Sequence, residues 1–428
     1  MNSFLSKLVR RLSTLSSAQL LSTSRNSGEI LLFAKRNKMS FQACAFHMKL
    51  QCVKHQSRFI KHYQIVDLQS SGSLPLIRSF HQSLVRRSEY ERFENKKGKT
   101  LTWEFRLHNP YGLLSIETDK SVEINRINVL QHPGGDFAAF HLVSRDTRAM
   151  PDKAELLVNY DEERNRLSLV DNNVREKSCD ERWVLEVPPY YDLTVQHTGD
   201  EADAIRVENL ENQTITIQSV GDIHVHNLKS RDIVLDTTEG EVKSTKVLQG
   251  NAVIKTRKDK GFTADRLQGQ RFDIQTEDGN VLCKDIYGNT LSVLSQTGKL
   301  NLGNVTGECS LSTAGNVAIG SMDGSLEVNV SHSGSVQAYL VRPASVSITT
   351  EKGDVSVSLP LDVKCHLNLT ATNISFPAEM SLQVEEVDNL KKMKGAFNEG
   401  QSPVSVCSKE GSILVSVQSW FDSLKLGS

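Results

Sequence analysis

The chain has 428 residues, of which 38% are apolar and only 6% aromatic, so any core is built mainly from Val, Ile and Leu. Its net charge of −1 hides a division: residues 1–88 hold fourteen Lys/Arg against Glu29 and Asp67, for +12, and the remainder carries −13. No apolar run approaches the ~18 residues of a membrane-crossing helix, and Lys7, Arg10 and Arg11 break up the apolar stretch that a secretory signal needs.

The chain opens "MNSFLSKLVRRLSTLSSAQLLSTSR". Leu5, Leu8, Leu12 and Leu15 recur at helical spacing, and the stretch is rich in Arg and Ser with no acid. That is the composition of a mitochondrial presequence. The arm ends in "RSFHQSLVRRSEYERF", where Arg78, Phe80 and Ser83 form R-x-F-x-x-S ahead of Ser88. This is similar to the two-step matrix-processing signal, and it falls where acidic residues return at Glu89. Residues 1–87 are therefore expected to be a disordered presequence that directs the chain to the mitochondrial matrix. The seven cysteines, Cys44, Cys52, Cys179, Cys283, Cys309, Cys365 and Cys407, show no C-x-x-C and no paired spacing. Neither a disulfide framework nor a zinc site is expected, and a reducing compartment fits.

Residues 88–190 alternate like β-strands without a period, either as a small N-terminal β region or as irregular first coils that cap the repeat following them. "TLTWEFRL", the turn "HNPYG" and "LLSIET" read as a hairpin; "AELLVNY" and "RWVLEVPPYYDLTVQ" read as further strands.

From 191 to 383 a period takes over. Gly221, Gly240, Gly261, Gly279, Gly298, Gly315, Gly334 and Gly353 return every 17 to 21 residues. A second series, Gly250, Gly269, Gly288, Gly307 and Gly324, sits between them. Two residues after the first-series glycines stand Ile223, Val242, Val281, Leu300, Val317, Val336 and Val355, with Thr263 the exception. Three residues before them hydroxyls dominate: Thr237, Thr276, Ser295, Ser312, Ser331 and Thr350. Five glycines precede asparagine, at Asn251, Asn280, Asn289, Asn304 and Asn316. Glycine and asparagine both tolerate positive φ, so each glycine reads as a corner between short strands. One aliphatic per coil at one register stacks into a continuous core. The fold class is all-β, a parallel β-solenoid of about 19 residues per coil and about eight coils, roughly 35–40 Å long. An antiparallel sandwich also places strands every 8–12 residues but gives no reason for the fixed register.

Residues 384–401, "VEEVDNLKKMKGAFNEGQ", are charged and read as a loop or helix insertion before the last strand, "SILVSVQ". Trp420, Phe421 and Leu424, within 402–428, suit a cover over the open end of the core.

The repeat "T-x-x-G-[DEN]-V" (TTEGEV, QTEDGNV, TTEKGDV), preceded by "VPPYYDLTV", resembles the domain named "putative adhesin". That domain is a β-solenoid of unknown function with many bacterial members, and the resemblance supplies no catalytic residue. The basic arm and the closing "SWFDSLKL" are similar to an animal mitochondrial member of it.

Chemistry is sparse. "GDIHVHN" places Asp222, His224 and His226 on one outward face, where a metal could be held, but a solvated strand face is the preferred reading, because Lys243 and Thr245 stand at the matching places one repeat later. Outward acids such as Glu239, Glu241, Asp278 and Asp285 read as solubilising charge. No P-loop, dinucleotide fingerprint, G-x-S-x-G or H-E-x-x-H occurs. The expectation is a non-catalytic scaffold or binding module without cofactor or metal, a monomer with a protein partner. The acidic body argues against nucleic acid. The alternative is a carbohydrate-active lyase or hydrolase, which requires outward carboxylates on neighbouring coils.

Overall fold

The computed structural model describes residues 100–144, 157–171, 181–200, 202–378, 380, 382–387 and 390–418, and the backbone of four short strands before residue 67. The chain divides into two units, Met1–Arg86 and Arg87–Ser428. The first holds Gln19–Leu20, Ile30–Lys35, Ala45–Cys52 and Lys61–Val66, each antiparallel to the next. Arg78, Phe80, Ser83 and Ser88 lie outside the described residues, as do Trp420, Phe421 and Leu424.

The second unit is a parallel β-solenoid, and no helix occurs among its described residues. Its register is explicit in the core. Trp183, Val122, Ile205, Ile223, Val242, Phe262, Val281, Leu300, Val317, Val336, Val355, Ile413 and Ile374 pair in succession through parallel ladders. Every one of them is buried. A second column on the facing side runs Leu169, Ile116, Val195, Ile217, Leu235, Ile254, Ile274, Val293, Leu311, Val328, Ile348, Val406 and Leu369. Each column has thirteen rungs, so the stack outruns the eight expected coils and extends back into residues 113–190. At ~4.8 Å per coil the ladder is about 58 Å long.

The stacking order is not the chain order at either end. The coil of Val122 lies between those of Trp183 and Ile205, and the coil of Ile413 lies between those of Val355 and Ile374. The chain thus lays down an outer coil and returns to fill the gap beneath it, or the reverse. This corrects the expected hairpin of residues 101–118. Thr100–Arg106 pairs antiparallel with Phe137–Ser144, and Leu113–Thr118 is a coil strand parallel to Arg166–Asp171 and Asp192–His197. The turn "HNPYG" leads the chain from an edge strand into the stack, so sequence adjacency does not decide the partner. "RWVLEVPPYYDLTVQ" is two strands, Glu181–Val187 and Asp192–His197, divided at Pro188 and Pro189.

The described part of residues 384–401 is mostly strand, ending in a turn, and is not a helix. Gln383–Val387 and Leu390–Phe397 form an antiparallel hairpin on Cys365–Ala371. Glu385 faces Lys392 and Glu386 faces Lys391. Opposite charges directly across two strands stabilise the pairing, so the charge pattern that suggested a helix is a cross-strand pattern.

The second-series glycines Gly250, Gly307 and Gly324 have the expected positive φ, but the first series obeys a different rule. Among the described residues only Gly135, Gly250, Gly307 and Gly324 have positive φ among glycines, so the first series does not need glycine for conformation. It needs glycine for space. A Cβ on Gly298 would lie 1.9 Å from the carbonyl oxygen of Gly279, and one on Gly353 would lie 1.7 Å from that of Gly334. Each corner sits on the corner below with no room for a methyl group. The asparagines after the glycines are not at positive φ either. Asn280 Oδ1 accepts the Lys299 N–H at 2.9 Å, and Asn316 Oδ1 accepts that of Ser335 at 2.9 Å. Asp222 does the same for Glu241, at 2.8 Å. A short side-chain oxygen at Asp222, Asn280 and Asn316 therefore staples its coil to the one 19 residues on.

Thr237, Thr276, Ser295 and Thr350 are buried and close their corners, whereas Ser331 is exposed, Ser312 is half-buried, and the Gly315 corner is closed by Thr313, whose Oγ1 accepts the Gly315 N–H at 2.9 Å. Ser295 Oγ accepts the Gly298 N–H at 3.0 Å, and Thr276 and Thr350 donate to the carbonyls of Gly279 and Gly353 at 3.0 and 2.8 Å. The exception at Thr263 has the same logic. Phe262, not residue 263, is the inward rung, because the turn from Thr256 is one residue longer and Lys258 takes φ 55°. Thr256 Oγ1 donates to the carbonyl of Lys260, four residues on, at 2.8 Å.

Leu300 is 1% exposed, whereas Lys299 faces solvent. Leu300→Asp buries an unpaired carboxylate and should unfold the chain in chemical denaturation. Lys299→Asp should stay within ~0.5 kcal/mol of the parent. Gly298→Ala should cost ~1–3 kcal/mol or more by overpacking. If the alanine is neutral, the crowded corner is wrong.

Candidate binding groove

Sequence reasoning singled out Asp222, His224 and His226. Ile223 and Val225 are buried, so these three do share the outer face. They do not converge on a site. Asp222 Oδ1 is taken by Glu241, His226 Nδ1 lies 2.8 Å from Thr245 Oγ1, and His224 Nε2 stands 3.9 Å from Asp222 Oδ2. Among the described residues no group of three or more His, Cys, Asp or Glu is placed to hold a metal.

The outward acids join coils. Lys258 pairs with Glu239, Arg266 with Asp285 at 3.5 Å, Lys284 with Asp265 at 2.7 Å, and Arg342 with Asp323. Each pair spans 19 residues. Lys284 donates a hydrogen bond to Asp265 and so holds its carboxyl below the usual range. Arg231 and Asn251 do this for Asp232, and the Ser412 hydroxyl and N–H do it for Asp354. Cys283, Cys309 and Cys365 are buried, and burial pushes their thiols up, Cys309 to about 12 and Cys365 to about 11.

One buried polar cluster breaks the aliphatic regularity near the first rungs. Asp171 is fully buried, and its Oδ2 accepts from Lys120 Nζ at 2.9 Å and Trp183 Nε1 at 2.9 Å. Burial works against the charge on Lys120, but the hydrogen bond and field of Asp171, with Asp119, outweigh it and raise its pKa. Nearby, His197 Nδ1 lies 2.9 Å from Ser219 Oγ, with Asp203 4.0 Å from Nε2. The residue types match a hydrolytic triad. The Ser219 hydroxyl, however, is buried in the column that closes the corners, where no substrate reaches it.

Sequence reasoning passed over a concavity that the stacked coils form. The second-series corner is an open groove of about 990 Å³. Its floor is Ser230, Gly250, Gly269 and Gly288, and glycine makes it a groove because it fills no space. One wall is the column Glu211, Lys229, Gln249, Gln268, Tyr287 and Thr306, one residue per coil in register. The opposite wall carries Gln213, Arg231, Asn251, Gln270 and Asn289. Tyr190 closes one end, stacked on Tyr111 at 5.3 Å, and Arg266 lies 5.9 Å over the ring of Tyr287. Asn212 lines the same end. Its Nδ2 donates to the carbonyl of Tyr191 at 2.7 Å, while its Oδ1 has no partner in the structure. A signal for this wall was present, since the residue before each second-series glycine is polar at a 19-residue spacing from Gln249 to Thr306.

A second depression, of about 630 Å³, collects Arg271, Asp273, Glu308 and Glu327 among serines. Asp273 is ion-paired to Arg271 at 2.8 Å.

These features define a parallel β-solenoid whose chemistry lies on its outer faces. Residues 176–416 match the family model described as Toastrack DUF4097, more than half the chain, and the protein belongs to that family. Similar solved structures include a "putative adhesin" from Bacteroides fragilis NCTC 9343, 10% identical over 75% of this chain and 97% of that one, with a TM-score of 0.29. A "putative cell adhesion protein" from Clostridium sporogenes ATCC 15579 is 9% identical over 75% and 100%, with a TM-score of 0.15. A "putative adhesin" from Parabacteroides merdae ATCC 43184 is 8% identical over 74% and 97%, with a TM-score of 0.27.

A carboxyl made more acidic by folding stabilises the fold above its ordinary range, and that contribution is lost as pH falls through its depressed value. Asp232, Asp265 and Asp354, all held below 3.8, give this sign. The denaturation midpoint should be flat from about pH 7 to 5 and fall below about pH 4. Asp354→Asn should lower the plateau and shallow the fall; an unchanged profile would remove Asp354 from the staple.

Proposed function

We propose that the protein is a non-catalytic binding module or scaffold of the mitochondrial matrix, an animal mitochondrial member of its family. The observation that carries the binding role is the groove at the second corner. Beyond Glu211, Lys229 and Arg231 at one end, its walls present amide, hydroxyl and phenol groups once per coil, with no cluster of groups arranged to activate water or a nucleophile among the described residues. A concave, pre-formed array of polar groups on a rigid stack suits recognition of an extended partner. The partner proposed is a protein, the protein itself acting as a monomer without nucleic acid.

The location rests on the arm. Its basic, acid-poor composition and the Arg78–Phe80–Ser83 spacing support removal of the arm ahead of Ser88. The competing reading is a carbohydrate-active lyase or hydrolase. The second depression favours it more than the sequence did, since it gathers Asp273, Glu308 and Glu327.

Proximity labelling from the full chain in mitochondria tests the binding role. The parent should label a defined set of matrix proteins, and Gln249→Ala with Gln268→Ala and Tyr287→Ala should lose it. Identical labelling by both would refute the groove. N-terminal sequencing of the mitochondrial form should begin at or near Ser88; a start at Met1 or Asn2 would refute the targeting. Release of new reducing or unsaturated sugar ends from polysaccharide, abolished by Glu308→Gln or Glu327→Gln, would replace the binding role with the enzyme.

A further inference from the structure

Resting on the binding role of the groove, we propose its ligand class: a proline-rich segment of a partner protein, bound in the polyproline II conformation along the solenoid axis. The first reason is spacing. Wall residues repeat once per coil, about every 4.8 Å, so two coils advance about 9.6 Å. A polyproline II helix has three residues per turn at about 3.1 Å each, and its turn advances about 9.3 Å. One ligand turn therefore meets the wall at the same position of every second coil and stays in step along the groove. An extended strand repeats every two residues, about 6.6 Å, and falls out of step within one turn.

The second reason is hydrogen bonding. A polyproline II segment makes no internal hydrogen bonds, so its carbonyls and remaining N–H groups stay open to partners. Gln249, Gln268 and Gln270 each bring a donor pair and an acceptor. The strands under the groove are already paired on both sides, Gln249 with Lys229 and Gln268, and Gln268 with Tyr287. Addition of the ligand as a new strand is thereby closed, and side-chain recognition is what the groove offers.

The third reason is the pair of tyrosines. Tyr190 and Tyr287 are 41% and 43% exposed, and flat exposed aromatic rings in a groove are the usual platform for proline rings. Glu211 N donates to the carbonyl of Pro189, which puts Tyr190 one rung before Glu211 and five before Tyr287. Five coils span about 24 Å, the length of about eight polyproline II residues. Lys229 and Arg231 against Glu211 leave the groove only weakly charged, which suits an uncharged segment.

The test is fluorescence anisotropy of a fluorescein-labelled decaproline, and of an array of P-x-x-P dodecapeptides, titrated with the full chain. A Gly-Ser peptide of equal length and cellohexaose serve as the other probes. Saturable binding to the proline probes is expected, with none to Gly-Ser. Tyr287→Ala and Gln268→Ala should each weaken it by about tenfold or more. Both side chains are exposed, so thermal melts of the variants should match the parent and exclude unfolding as the cause. Absence of saturable binding to every proline probe, or binding indifferent to both variants, overturns the proposal. Tyr287-dependent binding of cellohexaose alone would overturn the proline assignment while leaving a binding groove. Unaltered proximity labelling by the groove variant would instead remove the groove itself.

Discussion

The structure depends on one contact, the seating of each corner glycine on the carbonyl of the corner below. Parallel coils lie about 4.8 Å apart, and at these positions even a methyl group would overlap backbone. Because the overlap is with backbone rather than a flexible side chain, it cannot be relieved locally. The glycine column fixes where each coil turns. The hydroxyl three residues earlier then closes the turn, and the Asn or Asp one residue later ties it to the next coil. With turn and spacing fixed, alternation sends Val281, Leu300 and Val317 inward and Lys299 outward without further instruction.

A repeated coil leaves two open ends, and the chain manages both in the same way. The coils of Val122 and Ile413 are held between neighbours laid down at other points in the sequence, so neither end can fray as a simple terminus. Antiparallel strands then flank the outermost coils: Phe137–Ser144 and Leu157–Asp161 at one end, Leu390–Phe397 and Gln383–Val387 at the other. Short, charged edge strands discourage pairing with another chain, and Glu385 and Glu386 supply that charge. At the first end the interior also changes character, to the buried Asp171 with Lys120 and Trp183. Removing one partner of such a cluster leaves a buried charge uncompensated, so it ties this end to one arrangement.

Much of this was legible because the repeat writes one physical demand many times. The aliphatic register and the parallel stack were readable from the period alone, and so were the buried hydroxyls at Thr237, Thr276, Ser295 and Thr350, though not at Ser312 and Ser331, where the 17-residue coil shifts the count. Positive φ was the right reason at Gly250, Gly307 and Gly324 but not in the first series, where sequence does not reveal how close another coil comes. The coils built from Leu113–Thr118 and Arg166–Asp171 lack the glycine signature, so an irregular β region and irregular first coils stayed open alternatives, and their partners lie tens of residues away in an order that local patterns do not encode. The 384–401 hairpin was misassigned because its charges pair across strands rather than along a helix. Of the candidate residues, Asp222, His224 and His226 were placed on the correct face but serve coil contacts. Gln249, Gln268 and Tyr287 went unnoticed because a groove wall is a property of stacked coils, visible only when residues 19 apart are read together.

The most direct measurement is the spacing of the stack in solution, by electron–electron distance between nitroxide labels on outward residues of one column. Thr263, Leu282, Asn301, Ala318, Gln337, Ser356 and Leu414 pair in that order. Labels at 263 and 337 are four coils apart and should give about 19 Å; labels at 263 and 414 are six apart and should give about 29 Å. The second distance also tests the returned coil, since residue 414 is 58 positions beyond its neighbour 356. Distances that grow by one coil per rung support the account. A 263–414 distance shorter than the 263–337 distance, or a broad distribution for both, would contradict it.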